Sequence, residues 1–145
     1  MRKPSHTSRA HILGLAILFG GLGAAAQDVV IVINKEVSIS HIKRAELKDI
    51  FTGARTRFAD GSRAIPVVLK GGPVHEVFLR NHLGDNPSEF RNRWRKAVFT
   101  GEGSMLKECE SETALLNYVA NTPGAIGYVS RAVDGDGVKV LTISP

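Results

Sequence analysis

Few residues in this chain have types and spacings that could carry chemistry. Cys109 is the only cysteine, which leaves no internal disulfide and no thiolate framework for a metal. It lies among Lys107, Glu108 and Glu110, with no base to pair with it, so it is expected to be an incidental thiol and not a nucleophile. Outside the first 26 residues the histidines are His41, His75 and His82, and no two share the i, i+4 spacing of a helical metal pair. A glycine-flanked serine elbow and a Walker loop are both missing from the sequence. The expectation is a non-catalytic protein without metal or cofactor. An anion site remains as the candidate chemistry. Lys70-Gly71-Gly72 precedes a helix start at Pro73. The glycines allow close approach to the backbone, first-turn amides lack intrahelical acceptors, and Lys70 adds charge. His75, in the first turn, could add a donor, although its position predicts a solvated surface side chain. Lys70, Gly71, Gly72 and His75 form the candidate ligand-binding set.

These residues need a scaffold, and the pattern of the chain supplies one. Val29-Val30-Ile31-Val32-Ile33 is an unbroken β-branched run, the signature of a strand buried on both faces. Leu47, Ile50 and Phe51 then recur at helical spacing, and Gly53 suits the C-cap. Arg55 to Arg63 is expected to be an exposed loop turning at Asp60-Gly61, followed by a strand at residues 65–69. There Pro66, lacking an amide donor, belongs at the strand start or on an edge. Pro73 begins a helix with Val74, Val77 and Phe78 on one face, closed at Leu83-Gly84.

Asn86-Pro87-Ser88-Glu89 carries the N-cap, N1 and N3 residues of a capping box. In the helix that follows, Phe90, Trp94, Ala97 and Val98 form an apolar stripe, predicted to be buried. Arg91, Arg93, Arg95 and Lys96 occupy the opposite side, a solvated face or a surface for an acidic partner or anionic lipid. Ser111 is expected to cap a helix with Leu115, Tyr118 and Val119 inward. Pro123-Gly124 stops it, residues 125–129 form a short strand, Asp134 to Gly137 a turn, and residues 138–143 the last strand. The alternation of strands and helices indicates an α/β domain of two or three layers.

Composition narrows the class further. The 145 residues carry 19 basic and 14 acidic side chains, a formal charge of +5. Three of the cations, Arg2, Lys3 and Arg9, fall in the first 26 residues, which hold no acid; the other 119 residues carry 16 basic and 14 acidic side chains. So small an excess argues against nucleic-acid binding. The same first segment has a positive start, an apolar run from Ile12 to Gly23 and small residues at Ala24-Ala25-Ala26. It predicts a signal peptide over residues 1–26, cleavage near Ala26 and a periplasmic or secreted domain over residues 27–145.

Three segments, in order, resemble the phosphate-binding proteins of ABC phosphate transporters, in the type II periplasmic-binding-protein superfamily. They are Val32-Ile33-Asn34-Lys35 with Leu47-Lys48-Asp49-Ile50-Phe51-Thr52-Gly53; Phe58 with Asp60-Gly61 and Ile65-Pro66-Val67; and the run from Tyr118 to Val129, which contains Pro123-Gly124-Ala125-Ile126-Gly127-Tyr128. The resemblance implies a single lobe of the type II fold, an α/β domain with a mixed sheet flanked by helices. It also implies reversible capture of a small oxyanion, phosphate first, linked to transport, with a membrane transporter or another periplasmic protein as partner. The family's glycine-rich loop after the first strand and its Ser-Gly-Thr phosphate motif are absent here: Ile33 runs into Asn34-Lys35-Glu36, and residues 70–77 read Lys-Gly-Gly-Pro-Val-His-Glu-Val. The alternative is an interaction module that has kept the lobe and lost the ligand, pairing its surface with a protein partner or with a second copy as a homodimer.

Overall fold

The structure, a computed structural model, describes residues 28–101, 106–131 and 135–145. The expected leader over residues 1–26 and its cleavage site lie outside them, as does Asp134 of the expected turn. In chain order the elements are β1 (Val30–Asn34), β2 (His41–Lys43), α1 (Arg44–Phe51), β3 (Ile65–Leu69), α2 (Pro73–Phe78), a π turn (Leu79–Leu83), α3 (Pro87–Phe99), β4 (Lys107–Cys109), α4 (Glu112–Asn121), β5 (Ala125–Val129) and β6 (Val138–Ser144).

The six strands make one mixed sheet in the order β2-β6-β1-β5-β3-β4. The β-branched run does form an interior strand: β1 lies between β5 and β6 and is antiparallel to both. Ile31, Val32 and Ile33 are buried. β3, β4 and β5 are mutually parallel where they pair, and β2 runs parallel to β6. Pro66 sits at the second position of β3, where β5 is its neighbour and β4 has not yet begun to pair. A missing amide is tolerated there because only one side of the strand is bonded. Phe58, by contrast with the exposed loop around it, is buried under the bridge between Arg57 and Arg63.

Helices cover both faces. Side chains alternate along a strand, and β5 shows the consequence at two neighbouring residues. Tyr128 stacks on Phe78 of α2, with ring centroids 3.9 Å apart, while Gly127 faces Leu115 of α4. α2 and α4 are therefore on opposite sides of the sheet, giving three layers. Phe51 of α1 meets Phe78 edge-on at 4.8 Å, so α1 shares the α2 side. Buried Asn34 pins the other layer: its Nδ2 donates to the carbonyls of Val119 and Ala120 at 2.8 and 3.2 Å, at the end of α4.

Local signals behave as their chemistry requires. The capping box at α3 is complete, with Glu89 N–H donating to Asn86 Oδ1 at 3.0 Å and Asn86 N–H donating to Glu89 Oε2 at 2.9 Å. Ser111 Oγ accepts from Ala114 N–H at 3.1 Å. Gly124 has φ +84°, and a Cβ there would stand 2.2 Å from the Arg63 carbonyl oxygen, so both conformation and space demand glycine. One expectation fails within α3. Phe90 and Trp94 are buried, yet Val98 is 43% exposed, because the last turn of the helix faces a cavity instead of the core.

Candidate functional site

The parallel strands β3 and β4 end side by side, and the residues after them carry the charge. Lys70 leaves the carboxyl end of β3 through a backbone bond from its N–H to the Cys109 carbonyl at 3.0 Å. Gly71 and Gly72 follow, exposed, with Gly72 as the N-cap of α2. Carboxyl ends of parallel strands are the usual location of ligand crevices in α/β sheets. Here the chain's own acids occupy part of that end. The Lys70 ammonium is paired with Glu110, which holds its pKa above the ordinary lysine value. Glu112, in the first turn of α4, accepts from the Ser130 N–H after β5 and from Ser130 Oγ.

His75 corrects the expectation of a solvated side chain: it is only 5% exposed. The reason is tertiary. Leu69 N–H donates to the Tyr128 hydroxyl oxygen at 3.0 Å, and that hydroxyl also meets His75 Nδ1. Burial raises the Tyr128 pKa far above its usual value and lowers that of His75, so a protonated phenol faces a neutral imidazole. The phenol oxygen already accepts from Leu69, and donating its own hydrogen to Nδ1 satisfies every buried polar atom of the trio. The imidazole proton is then on Nε2, which makes no hydrogen bond among the described residues.

His75 and Lys70 both line a cavity of about 470 Å³ between α3 and the β3–β4 edge. Its walls are apolar, from Val68, Phe90, Trp94 and Leu106; Arg91 and Arg95 line it one helical turn apart. Trp94 is held in place by its Nε1–H, which donates to the Phe51 carbonyl at 2.8 Å. Phe90 rests edge-on against His75, centroids 5.8 Å apart. The structure thus brings Lys70 and His75 to one cavity and leaves Gly71 and Gly72 beside it without lining it. Sequence reasoning missed Arg91, Arg95 and Tyr128 as parts of this arrangement. The arginines are visible as a cationic helix face, but the sequence does not say that the face borders a cavity.

Cys109 is buried, and burial pushes its thiol pKa up, away from the reactive thiolate. No helix among the described residues is long and apolar enough to cross a membrane.

No family model matches the sequence. Solved structures do match the fold. A phosphate-binding protein from Stenotrophomonas maltophilia aligns with 81% of this chain at a TM-score of 0.58 and 23% identity, over 39% of its own length. An ABC-type phosphate transport receptor from Vibrio cholerae aligns with 80% of this chain at a TM-score of 0.53 and 15% identity, over 46% of its own length. The chain shares its fold with phosphate-binding proteins. It spans less than half the length of these two structures, as the resemblance to a single lobe implies. At such identities the likeness establishes the phosphate-binding-protein fold, an α/β architecture with a mixed sheet, and not the ligand residues. The solved neighbours are a binding protein and a transport receptor.

Proposed function

We propose that this chain is a non-catalytic, exported binding protein over residues 27–145 that captures a small oxyanion, phosphate first, and releases it unchanged. The ligand is bound by Lys70, the amides of Gly71 and Gly72, and His75. The observation that supports this reading is the hydrogen-bond relay from Leu69 through Tyr128 to His75, a neutral imidazole on the cavity that Lys70 also lines. A neutral donor and a cation at the carboxyl end of β3 form a polar pair suited to an oxyanion. The shared fold with phosphate-binding proteins supports the choice of phosphate.

Phosphate has to compete with Glu110 for Lys70. Binding is therefore weak, and its sensitivity to Glu110 is the useful test. In calorimetry with phosphate at low salt, Glu110→Gln should tighten binding and Lys70→Ala should abolish it. No heat at millimolar phosphate in both the parent and Glu110→Gln proteins would remove the reading.

A partner-binding module is the second reading, and one observation favours it. Phe99, at the end of α3, is 92% exposed, an unusual cost for a large aromatic ring in water. Light scattering on the parent and Phe99→Asp proteins separates the two readings. A dimer that Phe99→Asp dissolves supports the module; a monomer with measurable phosphate affinity supports capture.

A further inference from the structure

The cavity beside His75 is larger and more apolar than an inorganic oxyanion needs. Its volume of about 470 Å³ lies in the range that holds small organic ligands. Four aromatic or aliphatic side chains line it: Phe90 and Trp94 from α3, Val68 from β3, and Leu106 before β4. An inorganic phosphate would leave these surfaces wet. A purely hydrocarbon ligand would ignore the charges at the same site. Among the described residues, Lys70, Arg91 and Arg95 are set there against one carboxylate, Glu108. Lys70 is engaged by Glu110, whereas neither arginine makes an ion pair among the described residues. Arg91 and His75 both line this cavity.

We propose that the groove between α3 and the β3–β4 edge binds a small amphiphilic carboxylate, its hydrocarbon part against Phe90, Trp94 and Leu106 and its head group on Arg91 and Arg95. The inference deepens the anion-binding reading by naming a ligand class for the same end of the sheet, on the cavity that His75 and Lys70 also line. Arginine suits the head group because its planar guanidinium can accept a carboxylate through two parallel hydrogen bonds. The tail gains affinity from apolar burial, about threefold or more for each methylene removed from water. Chain length and charge should thus act independently on binding, which inorganic phosphate cannot imitate.

Trp94 is the only tryptophan of the chain and lines the groove, so its fluorescence reports occupancy directly. The leaderless protein over residues 27–145 is titrated with butanoate, hexanoate, octanoate, 1-octanol and inorganic phosphate. Octanoate is expected to give a saturable change in emission, with affinity rising along the acid series and 1-octanol at least about tenfold weaker. Arg91→Gln with Arg95→Gln should weaken octanoate by about tenfold, and the uncharged Val98→Ser, on the same cavity, should weaken octanoate more than butanoate. Circular dichroism checks that these exposed-site variants remain folded. Equal binding of octanol and octanoate, indifference to the arginine variants, or no saturable change up to about 10 mM would each overturn the proposal. So would a dimer that closes the groove, seen by light scattering. Phosphate binding without octanoate binding removes this inference alone, octanoate binding without phosphate heat removes only the phosphate assignment, and silence from both removes both.

Discussion

His75 is the residue where sequence and structure part most clearly. Its place in the first turn of α2 is legible, and so is the Lys70-Gly71-Gly72 approach to it. Its burial is not, because the partner that buries it, Tyr128, lies 53 residues further along the chain. The pH consequence has a definite sign. Burial lowers the folded pKa of His75 below its ordinary 6.5, so in the range just below that value the unfolded chain binds a proton that the folded one refuses. Stability contributed by the neutral imidazole is present above the unfolded pKa and is lost as pH falls toward the folded one. Urea unfolding should therefore show the midpoint dropping between about pH 7 and pH 5. His75→Gln should flatten that drop even though its overall stability is lower. An identical slope in both proteins would mean that another group is responsible. Tyr128→Phe removes the hydroxyl that orients Nδ1 and leaves the Leu69 amide unpaired, a loss of about 1–3 kcal/mol, measurable in the same experiment.

Element by element, the termini of helices are the most readable features and the short strands the least. Asn86 and Glu89 declare the start of α3 because capping is a local bargain between neighbours. β2 and β4 have three residues each, too few to show a period. They exist only because β6 and β3 offer backbone partners. The Pro123-Gly124 stop and the Gly127 approach lie between these extremes, and their costs can be ranked. At Gly127 a Cβ would come within 2.8 Å of Leu115 Cδ2, the end of a side chain, and 3.3 Å of the Val67 carbonyl oxygen. At Gly124 the obstacle is the Arg63 carbonyl itself, and φ is positive. Gly127→Ala should cost about 1 kcal/mol, since Leu115 can shift slightly. Gly124→Ala should cost about 3 kcal/mol, combining overpacking with a left-handed penalty. Denaturant unfolding checks the order; equal losses would contradict the contact geometry.

At the scale of the molecule the sheet joins distant parts of the chain. β1, near the start of the described residues, is completed on one side by β6, the last strand, and β6 also carries β2. Deleting residues 138–145 strips β1 of one neighbour and β2 of its only strand partner among those described. The shortened chain should lose its cooperative thermal transition by circular dichroism, because unpaired backbone groups on an interior strand are expensive. A two-state melt near that of the parent would show that β6 is dispensable. The same architecture explains the open groove. α3 is anchored at Phe90 and Trp94, and its last turn lines the cavity, so the stripe predicted to be buried through Val98 ends in a cavity wall.

The alternation of β-branched and amphipathic segments was enough to specify an α/β domain and its helix caps, since each depends on neighbours within a few residues. Sheet order, the burial of His75, the pairing of Lys70 with Glu110 and the cavity behind Arg91 and Arg95 depend on contacts between residues far apart in the chain. Local propensity does not determine such contacts. They come from the one packing in which β5 places Tyr128 against α2 and Gly127 against α4, and only the tertiary structure decides that.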